Sequence, residues 1–337
     1  MDLSLSDEQR QLVDSFAALY ARESTSERVR AAEPLGFDAA LWLALRETGV
    51  VEMAVPERDG GWGASVLDLA LLAEQLGRAT GSAPVIEAQV AAGLLAACGG
   101  PGAELLASAM SGQKLITFAP RRSSGSELTL VPAGAVADVV IALVGDRLVA
   151  SSIGERTVVE NLGTLPLADV SIDPHAVTLA EGADAVALHA SALDRWLALT
   201  AAALAGIGGR AVEVGAQYAK QRKAFGVAIG SFQAVSHPLA DSATAIDGAR
   251  LLAFKAACAF TDEAQRATEL SAMAFAFAAE SARDATRTSL HVHGGYGFGM
   301  EADVQLYYRR ARGLTMVYGD PLTALDRVAD ARYGAAG

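Results

Sequence analysis

The amino-acid sequence predicts a mainly α protein with a small β domain set between two helical regions. Three observations carry that expectation. Apolar residues recur at helical spacing up to about residue 112, and short β-branched runs broken by Gly, Pro, Asn and Asp follow. From about Ser191 to Val328 the helical period returns in long Ala-rich segments. The expected domains are an N-terminal helical domain over 1–112, a small β domain over 113–189 and a C-terminal four-helix bundle over 190–337. With 337 residues and 52% hydrophobic content the chain can bury a large core.

Each element has a local reason. Ser6-x-x-Gln9 has the form of a capping box, and Leu12, Phe16 and Leu19 then repeat at helical spacing. Helices are expected over Phe37 to Glu47, Val66 to Leu76 and Ile86 to Ala97, stopped by Gly49, Gly77 and Gly99-Gly100-Pro101. After Lys114 the runs Leu115 to Phe118, Leu128 to Val131, Val139 to Val144, Arg147 to Ala150, Val170 to Ile172 and Val186 to Leu188 read as strands, with Gly145-Asp146 as a tight hairpin turn. Loops at Gly226 to Ser231 and His291 to Gly299 divide the final helical region.

Charge and composition narrow the function. A formal charge of -12 repels phosphate backbones and anionic membrane surfaces, so nucleic acid and membrane are not expected partners. Any anionic ligand must meet a local basic cluster. Cys98 and Cys258 form no C-x-x-C pair, which fits core thiols in a reducing compartment. The acidic start Met1-Asp2-Leu3-Ser4-Leu5-Ser6-Asp7-Glu8 lacks the basic and apolar features of a secretory signal, so a cytoplasmic location is expected. The uncharged run Trp196 to Gly209 is shorter than the roughly 20 residues of a spanning helix and reads as a buried one.

The strongest cluster is Lys220-Gln221-Arg222-Lys223-Ala224-Phe225-Gly226, followed by Ile229 and Gln233. Arg222 offers a planar, permanently charged fork for a pyrophosphate, with Lys223 beside it. Phe225 can lie against a ring, Gln233 can both donate to and accept from an adenine or ribose edge, and Gly294 and Gly295 let backbone amides approach a ligand. Taken singly these residues have plainer readings: solvated charges at a helix C-terminus, a core aromatic and a surface amide. The series Gly295-x-Gly297-x-Gly299 follows a helix and not a strand, so it is a loop and not a dinucleotide fingerprint. His291-x-His293 has no third ligand at metal spacing.

Three anchors together resemble the acyl-CoA dehydrogenase family over most of the chain. They are Val55-Pro56-Glu57 with Gly60-Gly61-x-Gly63, then Arg222-x-x-Phe225-Gly226-x-x-Ile229-x-x-x-Gln233, and finally His293-Gly294-Gly295-Tyr296-Gly297 with Tyr308-Arg309-Arg310-Ala311-Arg312. The resemblance implies FAD held by Arg222, Phe225, Gln233, His291, Gly294 and Gly295, although the family carries glutamine where His291 stands. It also implies an acyl-CoA substrate and an electron-transfer flavoprotein or similar acceptor.

The same resemblance exposes departures. Desaturating an acyl thioester needs a base at the α-carbon and a flavin to accept hydride from the β-carbon. The family's glutamate position, counted from Tyr308-Arg309, is Tyr318 here, a phenol that scarcely takes a proton at neutral pH. Asp320, two residues on, is an alternative base only in a rebuilt loop. A second family position for the base falls on Trp196, with Asp194 the nearest acid. Thr117-Phe118-Ala119-Pro120 replaces the family's Leu-Thr-Glu-Pro, and no tryptophan lies between Lys114 and Leu188. These losses imply the non-base partner in a hetero-oligomer with a homologous acyl-CoA dehydrogenase subunit, similar to the α2β2 enzymes of steroid side-chain degradation. A self-sufficient homo-oligomer using Asp320 and a catalytically silent structural subunit stand as alternatives.

Overall fold

The computed structural model describes residues 4–334; the start Met1-Asp2-Leu3 and the end of the final bundle lie outside them. The described residues contain eleven α-helices and nine strands. Their contacts group them into two units, one of 28–69 with 82–197 and one of residues up to 27 with 70–81 and 198 onward.

The helices up to the first strand are α1 (Asp7–Glu23), α2 (Ser26–Ala32), α3 (Ala39–Glu47), α4 (Val66–Arg78), α5 (Val85–Cys98) and α6 (Ala103–Ser111). The capping box forms: Ser6 Oγ accepts from the Gln9 N–H while Gln9 Oε1 accepts from the Ser6 N–H. Asp38 caps α3 by accepting from the N–H groups of Ala40 and Leu41, and Arg28 grips the same carboxylate at 2.9 Å. α4 runs through Gly77 where a stop was expected. Gly77 serves a close approach instead, since a Cβ there would lie 1.9 Å from the Ala203 carbonyl oxygen.

The strands follow as β1 (Ile116–Phe118), β2 (Glu127–Val131), β3 (Val139–Val144), β4 (Arg147–Ser152), β5 (Arg156–Val158), β6 (Ala168–Ser171) and β7 (Val177–Glu181). One sheet has the order β1-β3-β4-β7, with β1 parallel to β3 and the other pairs antiparallel. The other is β2-β6-β5, antiparallel throughout. Leu128 and Val131 of β2, Val140 and Ala142 of β3, and Ala168 and Val170 of β6 share one buried cluster, so the two sheets close on a common core. Gly145-Asp146 makes the hairpin: Val144 pairs with Arg147, and φ is positive at Gly145 alone of the two turn residues, as in a type II′ turn.

Two strands escaped the pattern and one run was misread. β5 and β7 lie at sheet edges, and their short runs of mixed polarity and partial exposure take their order from a neighbour and not from alternation. Val186 to Leu188 belongs to helix α7 (Gly182–Gln221), because Ala185, His189, Ala192 and Leu193 are buried at helical spacing. The α7 sequence is long and apolar enough to cross a membrane, yet 72% of its most apolar window is buried inside the protein.

After α7 come β8 (Lys223–Ala224), β9 (Val227–Ala228), α8 (Gln233–Asp262), α9 (Ala267–His293), α10 (Val304–Met316) and α11 (Thr323–Tyr333). α9 packs on α8, α10 and α11, and its inner face is Ala274, Phe275, Ala278, Ala282 and Ala285. Such small side chains let helix axes come close. Gly206 meets the Glu74 carbonyl as Gly77 meets Ala203, and an added Cβ at Gly206 would sit 2.1 Å from that oxygen.

The expected outcome of Gly206→Ala is therefore a loss of about 1–3 kcal/mol from overpacking. Gly209→Ala, whose new Cβ would find its nearest neighbour at an ordinary 3.5 Å, should instead stabilise the helix by about 0.5–1 kcal/mol. Thermal unfolding of the two variants checks this, and shifts of one sign would contradict the close contact.

Candidate cofactor-contacting site

α7 ends in a reversal built by its own sequence. The Arg222 N–H donates to the Tyr218 carbonyl and the Arg222 carbonyl accepts from the Ile229 N–H, both at 2.8 Å. Between them β8 and β9 pair across the turn Phe225-Gly226, where φ is +53° and +83° as a type I′ turn requires. Left-handed backbone is uncommon for a bulky residue and costs conformational energy. Here it holds the Phe225 ring 96% exposed, edge-on to Phe232 at 6.2 Å. An aromatic ring held outward by strained backbone has the form of a contact awaiting a partner.

α9 ends one residue before Gly294, whose φ of +60° closes the helix as its N–H donates to the His291 carbonyl. A Cβ at Gly294 or Gly295 would meet nothing within 4 Å, so their backbone faces open space, whereas one at Gly297 would lie 2.8 Å from the Leu290 carbonyl oxygen. Tyr218 stacks on His293 with centroids 4.2 Å apart. The His293 ring is buried and its Nδ1–H donates to the Ser289 carbonyl at 2.8 Å, which orients the imidazole.

Arg222, Tyr218, Ile229, Gly294, Gly295 and Tyr296 line one depression of about 580 Å³. The Arg222 guanidinium makes no ion pair among the described residues. Of the expected cofactor contacts the structure thus brings together Arg222, Gly294 and Gly295. Phe225 stands outside this lining, Gln233 is exposed as the first residue of α8, and His291 is exposed on the last turn of α9. The sequence reading missed Tyr218, although it lies four residues before Arg222 and so on the same helix face. A free guanidinium, open backbone and aromatic rings fit an anionic ligand carrying a planar ring.

The acid and base candidates lie elsewhere. Tyr318 is half-buried and sets its ring edge-on to the buried Phe275 at 6.1 Å. Asp320 is exposed, its Oδ1 accepting from the Leu322 N–H and its carbonyl from the Thr323 hydroxyl, so it shapes the turn into α11. It lines a separate depression of about 740 Å³ with Met316, Leu322 and Leu325. Trp196 is fully buried, and its indole N–H donates to Glu87 Oε1 at 3.3 Å. Burial pushes the Glu87 carboxyl upward, against the lowering effect of hydrogen bonds from its own backbone and from Trp196. Sequence reasoning did not single out Glu87, which reads as an ordinary first-turn acid of α5. Thr117 is buried with its hydroxyl donated to the Pro132 carbonyl at 2.5 Å, so that group serves its own domain.

Gly294→Ala should cost about 1–2 kcal/mol, because the left-handed backbone burdens any Cβ. Gly295→Ala, with normal φ and open space, should stay within about 0.5 kcal/mol of the parent. Thermal unfolding of both variants checks the assignment.

Comparison with known proteins bears on the whole chain. The acyl-CoA dehydrogenase N-terminal domain matches residues 6–110 and the acyl-CoA dehydrogenase C-terminal domain matches residues 185–331. Acyl-CoA dehydrogenase FadE27 of Mycobacterium tuberculosis is 31% identical over 87% of each chain. The fold superposes on the ChsE4-ChsE5 complex from Mycobacterium tuberculosis with a TM-score of 0.90 at 26% identity over the full length of both chains. It superposes on the Tcur3481-Tcur3483 steroid ACAD variant with a TM-score of 0.87 at 25% identity, over 97% of this chain and 98% of that one. Matched at both ends by the family's domain models and along its length by these relatives, the chain belongs to the acyl-CoA dehydrogenase family.

Proposed function

We propose that this chain is the base-lacking subunit of a hetero-oligomeric, FAD-dependent acyl-CoA dehydrogenase whose substrate is a steroid side-chain CoA thioester. The observation that carries the reading is the outward depression at Arg222, Gly294 and Gly295. It offers a guanidinium without an ion pair and side-chain-free backbone, while the position expected to hold the base is a tyrosine packed on Phe275. Two relatives whose names pair two proteins, one of them a steroid enzyme, support the assembly and the substrate class.

When bound, FAD supplies the acceptor for hydride from the β-carbon, and an electron-transfer flavoprotein or similar carrier then takes the electrons. This chain's part is to hold the dinucleotide. Arg222 neutralises the pyrophosphate with its fork, and the Gly294 and Gly295 backbone lets it approach. The exposed Phe225 ring, on the β8–β9 turn, and the Gln233 amide, at the start of α8, extend the contact. Proton abstraction falls to a carboxylate of the partner subunit, since the position expected to hold the base carries Tyr318, a phenol packed on Phe275 and not a carboxylate.

Co-expression with the homologous dehydrogenase subunit, followed by flavin quantitation, tests the assignment. The complex should hold stoichiometric FAD and the isolated chain should not. Arg222→Ala should weaken FAD in the complex about 10–100-fold, the worth of one charge-assisted hydrogen bond. A chain that alone binds FAD and oxidises acyl-CoA would overturn the proposal, and an Arg222→Ala complex with unchanged flavin would mark a silent structural subunit.

A second reading gives the chain its own base, and the burial-raised Glu87 beside the Trp196 indole favours it over the turn-forming Asp320. In the assembled enzyme Glu87→Gln should leave turnover intact if the partner supplies the base. Loss of turnover with flavin retained would select the second reading.

A further inference from the structure

The C-terminal ends of α1 and α4, together with α7 and α10, wall a cavity of about 330 Å³ whose polar lining is Tyr20, Gln75, Arg78, Thr80, Arg210 and Tyr307. All six residues belong to one of the two units. The two cations on this wall share a single anion: Arg78 Nη2 lies 2.7 Å from Glu213 Oε1, and Arg210 Nη1 lies 2.9 Å from Glu213 Oε2. No acidic side chain lines the cavity itself, so these three groups leave one positive charge in excess. Among the described residues Arg78 spends only Nη2 on hydrogen bonds, which leaves donors at Nε and Nη1.

A second feature is independent of charge. Gln75 is only 8% exposed, yet its amide makes no hydrogen bond among the described residues. Gln89, the other buried glutamine of the N-terminal helices, donates to the Val50 carbonyl at 2.9 Å. A buried amide without a partner costs free energy, and a ligand that supplies the partner recovers it. Tyr20 lines the cavity as well, and its buried hydroxyl has no hydrogen-bond partner. Burial pushes the phenols of Tyr20 and Tyr307 upward, with Arg210 opposing the shift at Tyr307, so both stay protonated. Thr80 follows the end of α4 with φ +47°, a conformation that burdens a β-branched residue and that glycine would take freely. Strain of this kind concentrates at ligand clamps.

We propose that this cavity binds the carboxylate of a small monocarboxylic acid. The planar Arg78 fork matches a carboxylate, and the Gln75 amide and Tyr307 hydroxyl add neutral donors. One excess positive charge suits a monoanion. Ala17, Ala21 and Ala79, with the two tyrosine rings, give the hydrocarbon body of the acid an apolar lining. The volume stands at the low end of the roughly 300–1,000 Å³ of ligand pockets, so the acid is small. The site does not rest on the flavin reading.

The test is calorimetric titration of the full chain, at neutral pH and low ionic strength, with benzoate, propionate, the corresponding amides benzamide and propionamide, and inorganic phosphate. Benzoate or propionate is expected to bind at least about tenfold more tightly than its amide, and more tightly than phosphate. Gln75→Leu, close to the parent in size, should weaken the acid at least about tenfold, and Gln75→Glu, which sets a carboxylate beside the anion's place, should abolish binding. Unchanged thermal unfolding would show that the variants are folded. Should Gln75→Leu not fold, Tyr307→Phe, which removes one donor, should weaken the acid about fivefold. Absence of binding by both acids, amides or phosphate that bind as tightly as the acids, or a folded Gln75→Leu or Tyr307→Phe variant that binds like the parent, would overturn the site.

Discussion

The arrangement of the candidate cofactor site depends on how closely α7 and α9 approach. At Gly208 a Cβ would lie 3.4 Å from the Ala282 Cα, and at Gly215 it would lie 2.7 Å from Ser289 Oγ. Both contacts join residues 74 apart in sequence and are two helical turns from each other, so the helices keep one register. The same offset carries Arg222 to Tyr296, which share the depression, with the Tyr218 and His293 stack just before them. A larger residue at Gly215 would push the helices apart and separate the guanidinium from the glycine loop.

That register explains how a chain with a strong negative balance presents a cationic contact. Many arginines are consumed by carboxylates of their own chain, as Arg78 and Arg210 share Glu213. Arg222 escapes because it sits beyond the last turn of α7, where the chain turns into the β8–β9 hairpin. The helix end thus concentrates an unneutralised charge, a strained aromatic and open backbone within one short segment. The residues expected to do chemistry are meanwhile committed to structure, Tyr318 to Phe275 and Asp320 to the turn into α11.

Much of this was legible in the residues, and the failures share a cause. Capping at Ser6, the Gly145-Asp146 hairpin and the buried β3 run are local events, set by side chains within a few positions of one another. β5 and β7 were invisible because edge strands borrow their order from a neighbour, and Val186 to Leu188 was misread because its helical burial belongs to a longer Ala-rich period. Gly77 looked like a helix stop, yet its role is set by Ala203, more than a hundred residues away.

By itself the sequence determined the family, through residue types at fixed short spacings, and it put a tyrosine, Tyr318, where the resemblance leads one to expect a glutamate. Those are properties of the chain that need no third dimension. The tertiary structure alone decided that Arg222 and Gly294-Gly295 share a wall with Tyr218 while Gln233 and His291 do not line it. It also decided that Glu87, an unremarkable helix acid in the sequence, lies against Trp196. The physical reason is that side-chain proximity across helices follows from packing distance and register, which one strand of letters encodes only through the small residues that permit it.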